Sequence, residues 1–126
     1  MSEVVYDAAV LIAADRNDRR VWADHRALLE SGVVPWVPAA VVAQASRTSR
    51  QVQLRRFLRG CAVVPLDEPR AHAAGRLLGA ARASDVVDAS VVILAVSRRA
   101  QIMTGDVDDI DALVTASGVR VSVVAV

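Results

Sequence analysis

The chain has 126 residues and a formal net charge of +1, and it is 54% hydrophobic but only 3% aromatic. That length predicts one domain, residues 1–126, and the near-neutral charge excludes a strong overall field. All 15 basic residues are arginines, so any mechanism that needs a lysine amine is excluded. No apolar run approaches the roughly 20 residues of a membrane helix. No basic segment followed by an apolar one opens the chain as a secretory signal would. The single Cys61 has no partner for an internal disulfide. Together these predict a cytoplasmic protein.

Val4 to Tyr6 read as a first strand, followed at once by a short helix over 8–14. Asp18 is placed to cap a helix over 19–30, whose Val21, Trp22, His25, Leu28 and Leu29 fall near 3.6 spacing. A second strand is expected over 33–37, and Pro38 suits the first turn of a helix reaching about Ser46. A helix over 50–59 follows, with Arg50, Arg55, Arg56 and Arg59 mostly outside. The third strand is expected over 61–66, then a helix from the Asp67-Glu68-Pro69 start to about Ala83. Ser84 precedes a helix over 85–99 that is apolar on nearly all sides from Val91 to Val96, so it belongs at the centre. A fourth strand over 101–104, a helix over 106–117 and a fifth strand over 119–124 complete the chain. Alternating strands and helices predict an α/β fold, a parallel sheet with right-handed crossovers and helices on both faces.

Acidic residues sit where such a fold places its ligands, just outside the carboxyl ends of strands. Asp7 ends the first strand. Asp85 and Asp88 open the central helix, three residues apart and on one face. Asp106 follows the fourth strand, with Asp108 and Asp109 behind it. Asp85 and Asp106 also suit simple helix caps, but Asp88 lies among apolar neighbours, where an unpaired carboxylate is costly. Carboxylates converging from distant parts of a chain suit Mg2+ or Mn2+, which take hard oxygen ligands and phosphate oxygens. The expected metal ligands and catalytic residues are Asp7, Asp88 and Asp106, with Asp85 and Asp108 or Asp109 as further candidates. Other chemistries fail by inspection. No Gly-rich loop ends in Gly-Lys, Ala9 stands where a haloacid-dehalogenase site needs its second Asp, and no serine has a nearby His–Asp pair. His25 and His72 are expected at the surface or boundary.

Val-Val-Tyr-Asp7, Val-Val-Asp88-Ala89-Ser90-Val91 and Thr104-Gly-Asp106 together resemble the PIN-domain ribonucleases of the VapC toxin type. The resemblance spans the whole chain. It implies a three-layer α/β/α sandwich with a parallel five-stranded sheet in the order 3-2-1-4-5, which makes the first and fourth strands neighbours. It implies an Mg- or Mn-dependent endoribonuclease, with Thr104 as the supporting hydroxyl. It also implies a cognate VapB-type antitoxin, a homodimer and a toxin–antitoxin hetero-oligomer. Trp22 and Trp36 are candidate contacts there, each equally suited to core packing. The family usually carries a Glu in the helix after the second strand, where this chain has Gln44. Gln44 keeps an oxygen acceptor but loses the charge, and the glutamates Glu3, Glu30 and Glu68 lie nowhere near it in sequence. Arg47 and Arg50 follow Gln44 as candidate RNA phosphate contacts. Two functions stay open: a toxin that cuts structured cellular RNA, and a weakened PIN module that binds RNA or antitoxin without efficient cleavage.

Overall fold

Short apolar runs, each stopped by a proline, a glycine or a carboxylate, pair into one parallel sheet. In this computed structural model, which describes residues 3–126, the strands are β1 (Val4–Tyr6), β2 (Trp36–Pro38), β3 (Ala62–Val64), β4 (Gln101–Thr104) and β5 (Val123–Ala125). Their order is β3-β2-β1-β4-β5. The helices are α1 (Ala8–Asp15), α2 (Arg19–Glu30), α3 (Ala39–Ala45), α4 (Val52–Leu58), α5 (Glu68–Ala81), α6 (Val86–Arg98) and α7 (Val107–Ser117).

The chain runs one way along the sheet from β1 to β3, then crosses to β4 and β5. Right-handed crossovers therefore put α1 to α4 on one face and α5 to α7 on the other. Packing follows that division in the main: α1 lies against α3 and α4, and α5, α6 and α7 lie against one another, while α3 also reaches across to α6. The core is Val5, Val37 and Ile102 of the sheet with Leu11, Phe57, Val91, Val92 and Ile110 of the helices, all without exposure. The central helix expected from the Val91–Val96 run is α6, which touches β1, β2 and β4.

Three strands are shorter than their apolar runs, for local reasons. Pro38 closes β2 with φ −61° and ψ 140° and precedes α3 instead of lying inside its first turn. Proline has no N–H for the ladder. Pro65 follows β3 in the same way, and Cys61 lies in the turn before it, where burial pushes its thiol up to about 12. The last strand is shifted from 119–124 to Val123–Ala125, because β4 offers only Ile102, Met103 and Thr104 as partners.

His25 corrects the expectation of a surface or boundary residue: it is 4% exposed. It lies one turn after Val21 on the face of α2 that meets β1 and α4. Its Nδ1 is 3.0 Å from the Tyr6 hydroxyl, and its ring stacks on Phe57 at 3.9 Å between centroids. A Cβ at Gly60 would sit 2.8 Å from His25 Nε2, so only glycine fits beneath the imidazole. Both tryptophans are half-buried and tied within the chain. Trp22 Nε1–H donates to the Ala14 carbonyl at 3.0 Å, and Trp36 Nε1–H donates to Glu3 at 3.0 Å beneath the Arg98 guanidinium.

Candidate metal centre

The register of β1 and β4 builds the site. Tyr6 pairs with Met103, so Asp7 and Thr104 follow at the same level, and the Asp7 N–H donates to the Met103 carbonyl at 3.1 Å. Asp7 is 5% exposed. Its carboxylate accepts from the Ala9 N–H at 2.9 Å, capping α1, and from the Thr104 hydroxyl. Burial raises the Asp7 pKa, and the bonds from Thr104, Ala9, Gly105 and Val10 oppose that rise. The Thr104 oxygen in turn accepts the Asp106 N–H at 2.9 Å. One hydroxyl thus joins the acids that end β1 and β4. Between them, a Cβ on Gly105 would lie 2.7 Å from the Ala9 Cβ, so the turn needs glycine to approach α1.

Asp85 caps α6 by accepting the Asp88 N–H at 3.0 Å. Asp106 occupies the cap position of α7, yet its side chain makes no capping bond. Asp88, Asp106 and Asp109 each bring a carboxylate oxygen within 4.8 Å of the others. Asp109 is three residues beyond Asp106 and shares its helix face; Asp108, one residue short of that, stands outside the set. The Asp88 carboxyl is raised to about 6, first by burial and then by the charges of Asp85, Asp106, Asp7 and Asp109. Asp109 is raised as well, chiefly by its hydrogen bond and charge interaction with Asp106. Asp7 is outside the close set, but its charge reaches Asp88.

Ion pairs among the described residues join Arg70 to Asp67, His72 to Glu68 and Arg98 to Glu3; none involves these acids. Mutually repelling carboxylates without a protein cation are stabilised by a metal ion. The donor set is hard oxygen throughout, which fits Mg2+ or Mn2+ and not a soft metal.

Solved structures share this architecture. No family model matches the sequence, and no curated protein matches it either. The structure of VapBC2 from Rickettsia felis, bound to a DNA fragment from their promoter, superposes with a TM-score of 0.70 at 11% identity, covering 98% of each chain. The structure of FitAB bound to the IR36 DNA fragment superposes with a TM-score of 0.65 at 19% identity, covering 97% of this chain and 94% of that one. The fold is PIN-like.

The remaining expected residues lie on α3, which packs against α6, and on the loop that follows it. Gln44 is exposed on α3 and its side chain makes no hydrogen bond among the described residues. The Arg47 guanidinium donates to the Ala43 and Ser46 carbonyls at 3.1 and 2.8 Å, closing the end of α3. Arg50 is exposed. Their loop is held by Gln51, which donates to Asp15 at 3.1 Å. Asp15 ends α1, whose start is at Asp7, so this loop lies about 12 Å along that helix from the acids. Sequence reasoning left Asp109 as an alternative to Asp108; the three-residue spacing from Asp106 was the signal that separates them. Gln51 gave no signal at all.

Proposed function

We propose that the chain is a cytoplasmic Mg2+- or Mn2+-dependent endoribonuclease that cuts structured cellular RNA as the toxin of a type II toxin–antitoxin pair. The observation that carries this reading is the set Asp88, Asp106 and Asp109, mutually within 4.8 Å and without a protein cation. Those three would hold the ion, with Asp7 close behind, and the bound ion supplies phosphoryl polarisation and an activated water. Thr104 positions the site: its hydroxyl fixes the orientation of the Asp7 carboxylate and the start of α7. Asp88, its carboxyl raised to about 6 by burial and neighbouring charges, is still largely ionised at neutral pH and so can take a cation. Arg47 and Arg50 are offered as phosphate contacts for RNA passing along α1.

The likeness to VapBC2 and FitAB, both solved bound to DNA fragments, supports an antitoxin partner, and the proposal adds a homodimer and a toxin–antitoxin hetero-oligomer. Among the described residues no helix is long and apolar enough to cross a membrane. Gln44, exposed and uncharged on α3, favours a second reading, in which the module binds RNA or antitoxin and cuts poorly.

Purified protein, total RNA and Mn2+, read by mapping of the cleaved ends, tests the first reading. Discrete cuts are expected, reduced at least about a hundredfold by Asp7→Asn. No cuts with Mn2+ or with Mg2+ in its place, or equal cutting by Asp7→Asn, selects the second.

A further inference from the structure

A groove of about 260 Å³ opens beside the acidic cluster, between the loop joining α5 to α6 and the first turns of α7. Ala83, Ala112 and Leu113 give it apolar lining, and Asp85, Asp88 and Asp109 a polar wall. Two of those acids belong to the close set; Asp85 does not. One Asp85 oxygen accepts the Asp88 N–H, and the other has no partner among the described residues. Asp85 is exposed, so that oxygen is available to a ligand.

We propose that this groove is the subsite for the nucleotide beside the scissile phosphate, and that Asp85 selects its base. The inference rests on the ribonuclease reading and names what that site recognises. The groove is continuous with the acids that would act on the phosphate. Its volume is just below the range of pockets for drug-sized ligands, which suits one ring system. A base carries no charge, so it can lie between carboxylates that repel a phosphate. No aromatic side chain lines the groove, so stacking does not hold the base, and edge hydrogen bonds must. The wall is an acceptor: a free carboxylate oxygen takes the exocyclic amino group of cytosine, adenine or guanine. Uracil offers a single N–H between two carbonyl oxygens, which the carboxylate repels.

The test uses the full chain with Mn2+ and 5′-labelled hexaribonucleotides of cytidine and of uridine, with binding followed by anisotropy and cutting followed on gels. The cytidine oligomer should bind about tenfold more tightly than the uridine one, in line with one good base contact. Asp85→Asn keeps a capping side chain but adds a donor, and should bring the two affinities close to parity. Ala112→Trp, at an exposed position, should weaken the cytidine oligomer about tenfold while leaving the rise in melting temperature with Mn2+ intact. Equal affinities in the wild type, or a preference that survives both substitutions, overturns the subsite. Cutting without base preference overturns the subsite and leaves the ribonuclease. A base preference without any cutting overturns the ribonuclease and leaves a nucleotide groove.

Discussion

At the scale of one residue, Thr104 holds the site together. It has no exposure, and its hydroxyl spends both functions within the protein: it donates to Asp7 and accepts from the Asp106 N–H. Valine has the same shape without the hydroxyl. Thr104→Val therefore leaves a buried carboxylate with one donor fewer and a backbone N–H without its acceptor. The expected cost is about 1–3 kcal/mol of stability, the desolvation penalty of stranded polar groups, read as a lower urea midpoint with an unchanged slope. Cleavage should fall further than stability does, because Asp7 loses its orientation, and Thr104→Ser should restore both. A Val variant as stable as the wild type would mean that the hydroxyl does not carry these two bonds.

At the scale of elements, the α3–α4 loop depends on one side chain that carries no charge. Gln51 accepts from the Arg47 and Thr48 N–H groups at 2.6 and 3.1 Å and donates to Ala45 and Asp15 at 2.9 and 3.1 Å. Four bonds converge on one half-buried amide, tying α3, α4 and the end of α1. Gln51→Ala should cost about 2 kcal/mol, since several partners are stranded together. Arg50→Ala, on the same loop but exposed, should stay within about 0.5 kcal/mol. Chemical denaturation of the two variants compares them directly; equal losses would show that the loop is held by something other than Gln51. On the same face, Tyr6, Trp22, His25 and Phe57 pack ring against ring and fix α2 and α4 on β1. Three of the four aromatic residues of the chain are spent there.

At the scale of the whole molecule, raised carboxyls and a lowered imidazole pull the pH dependence of stability in opposite directions, with Asp7 acting in the same sense as Asp88. Asp88 has its carboxyl raised from 3.8 to about 6. Between those values the folded state binds more protons than the unfolded one, so stability falls as pH rises through that window. His25 is held below its ordinary 6.5 by burial. The folded state then binds fewer protons below pH 6.5, so stability falls as pH drops. Asp88→Asn isolates the first effect. Without metal, the variant should melt above the wild type by a margin that grows from about pH 4 to 7, the range the raised carboxyl spans. Millimolar Mn2+ should reverse the order, because only the wild type keeps the ligand. A flat difference across pH would mean that the Asp88 carboxyl titrates normally. Much of this was legible in the linear chain. Strand ends and helix starts are local events, so the alternation of apolar runs with stops places Asp7, Asp88 and Asp106 at the edge of a parallel sheet, and the turn Thr104-Gly105-Asp106 marks the second acid-bearing strand end. What lies far apart in sequence was decided only in three dimensions. Thr104 meets Asp7 across 97 positions, Gln51 meets Asp15 across 36, and Tyr6 meets His25 across 19. The periodicity of a helix says which of its faces turns inward, but the partner of that face depends on how crossovers pack helices over the sheet. For that reason His25 is buried against Tyr6, Gln51 anchors a loop, and a groove opens between α7 and the start of α6.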